Sequence, residues 1–277
     1  NGGGGTGGAL GAANVTVTDI VLGTALGLKG TITGDTTFTF KDATGGSDAA
    51  TVNLAKATVS GAVHVDLIEN LTFAVSGKSS VTVVDATDAK SIVINGSGDL
   101  VFTSQDVGNA TKIDASALTG ALTIDVSSGT GHTAASGGLA DTGVTITGTN
   151  GVDSIKLLNV NGYRDTIVYN KADASTYATV ETVDGFHGKN AGLTAIEDKI
   201  NLSSFAIEAS KQSVQTFNTL VENASFGGSA VAVYHVSATE QYVFVDSNGD
   251  GKLNQATDFA IKLTGGNADL TVDNFTF

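Results

Sequence analysis

Short runs of apolar and β-branched residues recur along the first two-thirds of the chain, mostly at intervals of about 8 to 12 residues. Each run is bounded by Gly, Asn, Asp or Ser, a pattern that predicts brief strands separated by turns. Two strands and two turns then make about 20 residues, close to one coil of a β-solenoid. The clearest runs are Val81-Thr82-Val83, Ile92-Val93-Ile94, Val101-Phe102, Ile113, Leu122-Thr123-Ile124, Val144-Thr145-Ile146, Ile155 and Ile167.

A β-sandwich would show similar strand spacing, and the composition favours the solenoid. The 277 residues include 36 Gly but no Pro, Cys, Met or Trp, and only 6% are aromatic. The core must therefore be thin and aliphatic, which suits side chains stacked in many small layers. We predict an all-β fold: a parallel β-solenoid or β-roll of short strands with a mixed β cap that contains one short helix.

The strength of this rhythm divides the chain into three predicted regions. Residues 1–75 form an N-terminal β region of weaker rhythm, residues 76–168 form the solenoid, and residues 169–277 form the aromatic-rich cap. In the cap, residues 213–224 place apolar side chains at helical spacing behind Ser213, a potential N-cap, which predicts the short helix.

The net charge of −14 limits the partners of the chain. Its 14 basic residues are scattered rather than clustered, which argues against nucleic-acid binding. An acidic surface instead favours metal cations. No apolar run approaches the roughly 18 residues of a membrane-spanning helix, so we predict no membrane span.

The strongest motif is the segment Asp246-Ser-Asn248-Gly-Asp250-Gly251-Lys252-Leu-Asn254, followed by Asp258. Oxygen-bearing side chains at alternate positions converge when a glycine turns the chain sharply, as in D-x-[DN]-x-[DN]-G calcium loops. The twelfth position is Thr257 rather than Glu, and the flanking segments look like strands rather than helices. A β-hairpin turn is the alternative. We predict a Ca²⁺ site with ligands from Asp246, Asn248, Asp250, Lys252, Asn254 and Asp258.

A weaker motif spans residues 148–155, where Asn150 and Asp153 fall in one approximate copy of the G-G-x-G-x-D-x-U-x repeat. In that repeat, turn carbonyls and the Asp bind Ca²⁺ between neighbouring coils. A looser copy, Asn161-Gly162-Tyr-Arg-Asp165, follows. Asn150, Asp153 and Asp165 are therefore further candidate calcium ligands, and simple solenoid turns are the alternative.

These stretches resemble bacterial proteins exported by type I secretion, which carry calcium-binding haemolysin-type repeats. Over about residues 148–277 their order is similar to a serralysin-type C-terminal module, and residues 112–124 resemble the low-complexity repeats of type I-secreted S-layer proteins and adhesins. The resemblance implies an uncleaved C-terminal export signal, an extracellular location at the bacterial cell surface, and folding when calcium is met. The stretches that carry the likeness to the C-terminal module are 165–169, 183–186, 198–203, 246–265 and 270–275.

The sequence lacks two common enzyme motifs, and a carboxylate pair for glycoside hydrolysis stays open because spatial pairing is invisible in the sequence. There is no H-E-x-x-H zinc protease motif and no G-x-S-x-G elbow, and the four histidines are isolated. We therefore predict a non-enzymatic structural protein that self-associates, with bound calcium, into a cell-surface lattice (S-layer) or filament. The alternatives are an adhesin or ligand-binding module, with a cell-surface polysaccharide as a possible partner, and the non-catalytic part of a type I-secreted hydrolase.

Overall fold

The computed structural model describes residues 13–106, 110–126, 143–157, 164–172, 175–188, 197–265 and 270–277. The fold is all-β, as predicted. Within these residues, three short 3-10 helices lie at Ser203–Phe205, Ala209–Lys211 and Val272–Asn274. The strands are β1 (Val15–Val21), β2 (Leu26–Ile32), β3 (Thr36–Lys41), β4 (Ala49–Val65), β5 (Asn70–Ser76), β6 (Ser79–Asp85), β7 (Ser91–Gly96), β8 (Leu100–Asp106), β9 (Lys112–Leu118), β10 (Leu122–Asp125), β11 (Thr145–Thr147), β12 (Ser154–Lys156), β13 (Thr166–Val168), β14 (Glu181–Asp184), β15 (Lys199–Asn201), β16 (Val214–Phe217), β17 (Val231–Ser237), β18 (Glu240–Val245), β19 (Phe259–Thr264) and β20 (Phe275–Thr276).

Two series of parallel strands form the body, and the chain alternates between them. One series runs β1, β3, β4, β6, β8, β10, β12, β14, β19. The other runs β2, β4, β5, β7, β9, β11, β13, β15, β20. The long strand β4 belongs to both. This open, mostly parallel arrangement is that of a β-solenoid.

The length of one coil follows from the register of the strands. Asn70 lies opposite Ser91, and Ser91 lies opposite Lys112, so two successive coils each advance by 21 residues. This agrees with the predicted coil of about 20 residues. The pairing also continues across residue 76, because β6 pairs with β4 and β7 pairs with β5.

The core consists of apolar side chains stacked in register from coil to coil. Full burial of such a side chain contributes about 1.5–3 kcal/mol. Aliphatic residues dominate these columns, in line with the thin aliphatic core predicted from composition. One column contains Leu71, Ile92, Ile113, Ile146, Ile167 and Ile200, and the facing column contains Val59, Val81, Phe102, Ile124, Ile155, Val183 and Leu263, all at most 3% exposed.

The helix predicted at residues 213–224 is wrong. Val214–Phe217 form strand β16, which pairs in parallel with β17, and turns follow. The Ser213 hydroxyl is hydrogen-bonded to that of Ser229, 2.7 Å away, instead of capping a helix. β-Branched Val214 and Thr216 suit a strand, and pairing with β17 satisfies backbone groups that a short isolated helix would satisfy less well.

The C-terminal region leaves the solenoid after β15 and returns with β19. In between, β17 and β18 form an antiparallel hairpin, and β18 also pairs antiparallel with β19. A second small core lies on this sheet, formed by Phe217, Phe226, Ala232, Phe244, Leu253 and Ala260. Among the described residues, no helix has the length and apolar character needed to cross a membrane.

Candidate metal centre

The predicted calcium loop connects two antiparallel strands. It runs from residue 246 to residue 258, between β18 and β19, so the prediction of flanking strands rather than helices is confirmed. Gly249 and Gly251 adopt left-handed backbone angles, with φ of 77° and 74°. Glycine takes this conformation without the strain that a Cβ would add. The loop thus has the sharp turn that the motif predicts.

The backbone of the turn surrounds the carboxylate of Asp246, the first residue of the loop. Oδ1 accepts a hydrogen bond from the backbone N–H of Gly249, and Oδ2 accepts one from that of Gly251, both at 2.8 Å. Only 8% of Asp246 is exposed. Both carboxylate oxygens therefore point into the loop.

Asp258 closes the loop from its far end. The backbone N–H of Asp258 donates to the carbonyl of Asn254 at 2.8 Å, which forms one helical turn. The carboxylate accepts hydrogen bonds from the N–H groups of Asn254 (2.8 Å) and Ser247 (3.2 Å), and the residue is fully buried. Asp258, at the thirteenth position, thus faces the loop interior, one position after the place where the motif has its last ligand.

The middle residues of the loop form a chain of short-range contacts. Asn248 Oδ1 accepts from the N–H of Asp250 at 2.9 Å, and Asp250 Oδ1 accepts from the N–H of Lys252 at 2.8 Å. Asn254 Oδ1 accepts from the N–H of Ala256 at 3.1 Å. The side chain of Lys252 is exposed. At this seventh position of a calcium loop it is the main-chain carbonyl that would act as ligand.

The loop brings like charges close together. Burial, and to a smaller extent the nearby carboxylates of Asp246 and Asp250, raise the pKa of Asp258 to about 6, against the lowering effect of the hydrogen bonds from Asn254 and Ser247. A cation between these groups would remove both the repulsion and the need for protonation.

The oxygen chemistry of the loop fits Ca²⁺. Carboxylate, amide and carbonyl oxygens are the ligands that calcium prefers, and the loop offers neither thiol nor imidazole. Across the described residues, however, no three His, Cys, Asp or Glu side chains converge as a formed metal site. In this structure the loop carboxylates are instead hydrogen-bonded to backbone N–H groups.

Asp153 lies in a different place, inside a turn of the solenoid. It is 2% exposed, and its carboxylate accepts hydrogen bonds from the N–H of Leu122 (2.9 Å), the N–H of Thr149 (2.6 Å) and the Thr149 hydroxyl (2.7 Å). Its own N–H donates to Glu181 at 2.8 Å. Burial raises the pKa of Asp153. Asn150 is exposed in the same turn. The carboxylate therefore links neighbouring coils, and its predicted role as a metal ligand stays a prediction.

Asp165 has the same position in another turn. It is 3% exposed, and its Oδ1 accepts from the N–H of Val144 at 2.8 Å. Its own N–H donates to Asp198 Oδ1 at 2.8 Å. Asn161 and Gly162, the start of this looser motif copy, lie outside the described residues.

Asp198 is a buried carboxyl that the sequence motifs did not identify. Burial, and then the charge of Asp165, raise its pKa to about 8. Its Oδ2 accepts from the N–H of His187 at 2.7 Å, and the His187 Nδ1 lies 3.8 Å from the same oxygen. Asp153, Asp165 and Asp198 all stand two residues before an isoleucine, and this shared Asp-x-Ile pattern could have revealed the third member.

No family model and no curated protein matches this chain.

Proposed function

We propose that this chain is a calcium-stabilised structural protein of the bacterial cell surface, not an enzyme, and that it self-assembles outside the cell into a lattice or filament. The observation that carries the proposal is the 246–258 loop, in which glycines at positive φ turn the chain sharply and the buried carboxylates of Asp246 and Asp258 face the interior of the turn. Calcium binding that requires the folded loop would stabilise the folded chain where calcium is plentiful.

The charge of the chain supports a role for calcium in assembly. At a net charge of −14, copies of the protein repel each other. Cations bound to acidic turns lower that repulsion. Calcium thus promotes association where it is abundant, and its removal reverses association.

The solenoid supports assembly because it presents extended surfaces. Neighbouring strands lie about 4.7–4.9 Å apart, so side chains at equivalent register positions recur along each face and can make repeated contacts. A row of outward hydroxyl side chains follows one face, interrupted by Val101 and ended by Lys262. Because of this interruption, the row lacks the regularity that binding an ice-like surface would need. Its hydroxyl members are Thr58, Ser80, Thr123, Ser154 and Thr182.

Two of the described histidines, His64 and His187, have structural partners. His64 on β4 lies 2.8 Å from Asp85 on β6, a contact between neighbouring coils. The backbone N–H of His187 donates to the Asp198 carboxylate, and the backbone N–H of Asp198 donates to the carbonyl of His187. Neither arrangement requires a catalytic role.

Sedimentation and electron microscopy of the full chain test this proposal. We expect ordered sheets or filaments in millimolar calcium that dissolve in excess chelator. Asp250→Asn should prevent assembly, because it removes the charge of an exposed carboxylate that we propose as a calcium ligand. Asp66→Asn, which neutralises an exposed carboxylate outside the loop, is the matched control and should assemble. A monomer insensitive to calcium, or assembly retained by Asp250→Asn, would contradict the proposal.

A further inference from the structure

A polar cavity lies beside the calcium loop. Its volume is about 180 Å³, and residues 246–249 of the loop form one wall. The remaining walls come from Lys171, residues 205–208, Lys211 and Ala230. It therefore joins the proposed cation site to two lysines from other parts of the chain.

Both lysines are anchored through their backbones. The N–H of Lys171 donates to the Ser204 hydroxyl at 2.9 Å, and the N–H of Lys211 donates to the carbonyl of Glu208 at 2.8 Å. Across the part of the chain that the structure describes, neither ammonium group forms an ion pair. Two lysines without an ion-pair partner among the described residues therefore line the cavity.

The charge of the cavity depends on the loop. Lys171 and Lys211 are balanced by Glu208 and Asp246 among the lining residues. Counting the proposed ligands Asp250 and Asp258 as well, these groups carry two net negative charges without Ca²⁺ and are neutral with it. Calcium therefore removes the repulsion that an anion would otherwise meet beside the two lysines. Carboxylate oxygens can bind both calcium and ammonium groups.

The size and the apolar wall of the cavity narrow the class of ligand. Drug-sized ligands need roughly 300–1,000 Å³, so a cavity of about 180 Å³ suits a smaller group. Phe205 and Ile207 add apolar surface beside the charged residues. The carbon-rich face of a sugar ring can pack on such a wall while an acidic group on the ring reaches the lysines.

From these observations we infer that the cavity binds a hexuronate unit of an acidic polysaccharide in a calcium-dependent manner. The inference rests on the proposed calcium loop and adds a ligand to it. Coupling is reciprocal: the uronate raises calcium affinity by the same factor by which calcium raises uronate affinity.

Calorimetry on the full chain tests the inference in two steps. Calcium is titrated first, and galacturonate dimer is then added in calcium or in chelator. We expect saturable uronate binding in calcium and at least tenfold weaker binding in chelator. Glucose and succinate serve as probes that carry the sugar ring or the carboxylate alone, and both should bind at least tenfold more weakly than the dimer.

A double variant, Lys171→Gln with Lys211→Gln, should keep calcium binding and lose uronate affinity by at least tenfold. Lys29→Gln, at an exposed lysine of β2, is the matched control and should bind as the wild type does. Normal calcium binding with no uronate binding, or with equal binding of succinate or glucose, would overturn the inference alone. Unchanged uronate binding by the double variant would overturn it as well. Absence of calcium binding would overturn both the inference and the proposed function.

Discussion

The solenoid body and the 246–258 loop are stabilised by different kinds of contact. In the body, parallel strands pair coil to coil, and apolar side chains such as Ile113 stack between equivalent residues of the coils on either side. In the loop, the carboxylates of Asp246 and Asp258 hold backbone N–H groups while they repel each other. The comparison teaches that the contacts of the body involve no repelling charges that a cation would have to offset, whereas the carboxylates of the loop do repel each other.

The largest expected loss of folding free energy comes from a substitution in the core of the solenoid body. Ile113→Ala removes a fully buried side chain from the column between Ile92 and Ile146. We expect the free energy of unfolding to fall by about 2–5 kcal/mol, equally in calcium and in chelator, as measured by urea unfolding. Val21→Ala, at a side chain that is 63% exposed, is the control and should change it by less than about 0.5 kcal/mol. A loss that vanishes in calcium would show that the body also depends on the ion.

The next largest loss of folding free energy is expected where the backbones of two neighbouring coils approach closely, at Gly98 and Gly77. A Cβ on Gly98 would lie 2.1 Å from the carbonyl oxygen of Gly77 in the preceding coil, so Gly98→Ala must displace backbone. Overpacking of this kind costs about 1–3 kcal/mol, measurable in the same urea experiment. At Gly46 an added Cβ meets no atom within 4 Å, and Gly46→Ala should leave stability nearly unchanged. Equal effects of the two substitutions would argue against the tight stacking described for the body.

Calcium affinity should depend on pH through Asp258. The pKa of this carboxyl is raised to about 6 in the metal-free loop, and calcium needs the deprotonated form. Protons therefore compete increasingly as the pH falls below 6, and we expect about tenfold weaker binding at pH 5 than at pH 7. Calorimetric titrations at the two pH values measure this difference. Affinity that stays constant or rises at pH 5 would exclude Asp258 as a ligand.

The smallest expected loss of folding free energy comes from a substitution in the turn of the calcium loop. Gly251 has φ of 74° and open space around its Cα, so Gly251→Ala introduces backbone strain but no clash. We expect a loss of about 1 kcal/mol, seen as a shift in the urea midpoint of the calcium-bound protein. Gly46→Ala again serves as the control. A loss as large as that of Gly98→Ala would indicate packing at Gly251 that the structure does not show.

The body could be predicted from the sequence because its signal is local. The β-branched runs, such as Ile92–Ile94 and Leu122–Ile124, lie in strands as expected. The loop could be predicted for the same reason, since its glycines and carboxylates are close in sequence. The coil length followed from the spacing of the runs alone.

Contacts between distant residues could not be predicted in this way. Residues 213–224 contain strand β16 instead of the predicted helix. The reason is that β16 pairs with β17, a partner that local spacing does not reveal. Asp198 was missed because the N–H groups that bind its carboxylate come from Asp165 and His187, which are 33 and 11 residues away. Asp153 likewise binds Leu122 from 31 residues away. Burial and partners of these carboxyls depend on how the coils stack.

Calorimetric titration of calcium into the chelator-treated full chain tests the central claim most directly. The account predicts saturable binding by the wild type and by Asp66→Asn, and at least tenfold weaker binding by Asp246→Asn and Asp250→Asn. Absence of saturable binding by the wild type, or wild-type affinity in both loop variants, would contradict the assignment of the 246–258 loop as a calcium site.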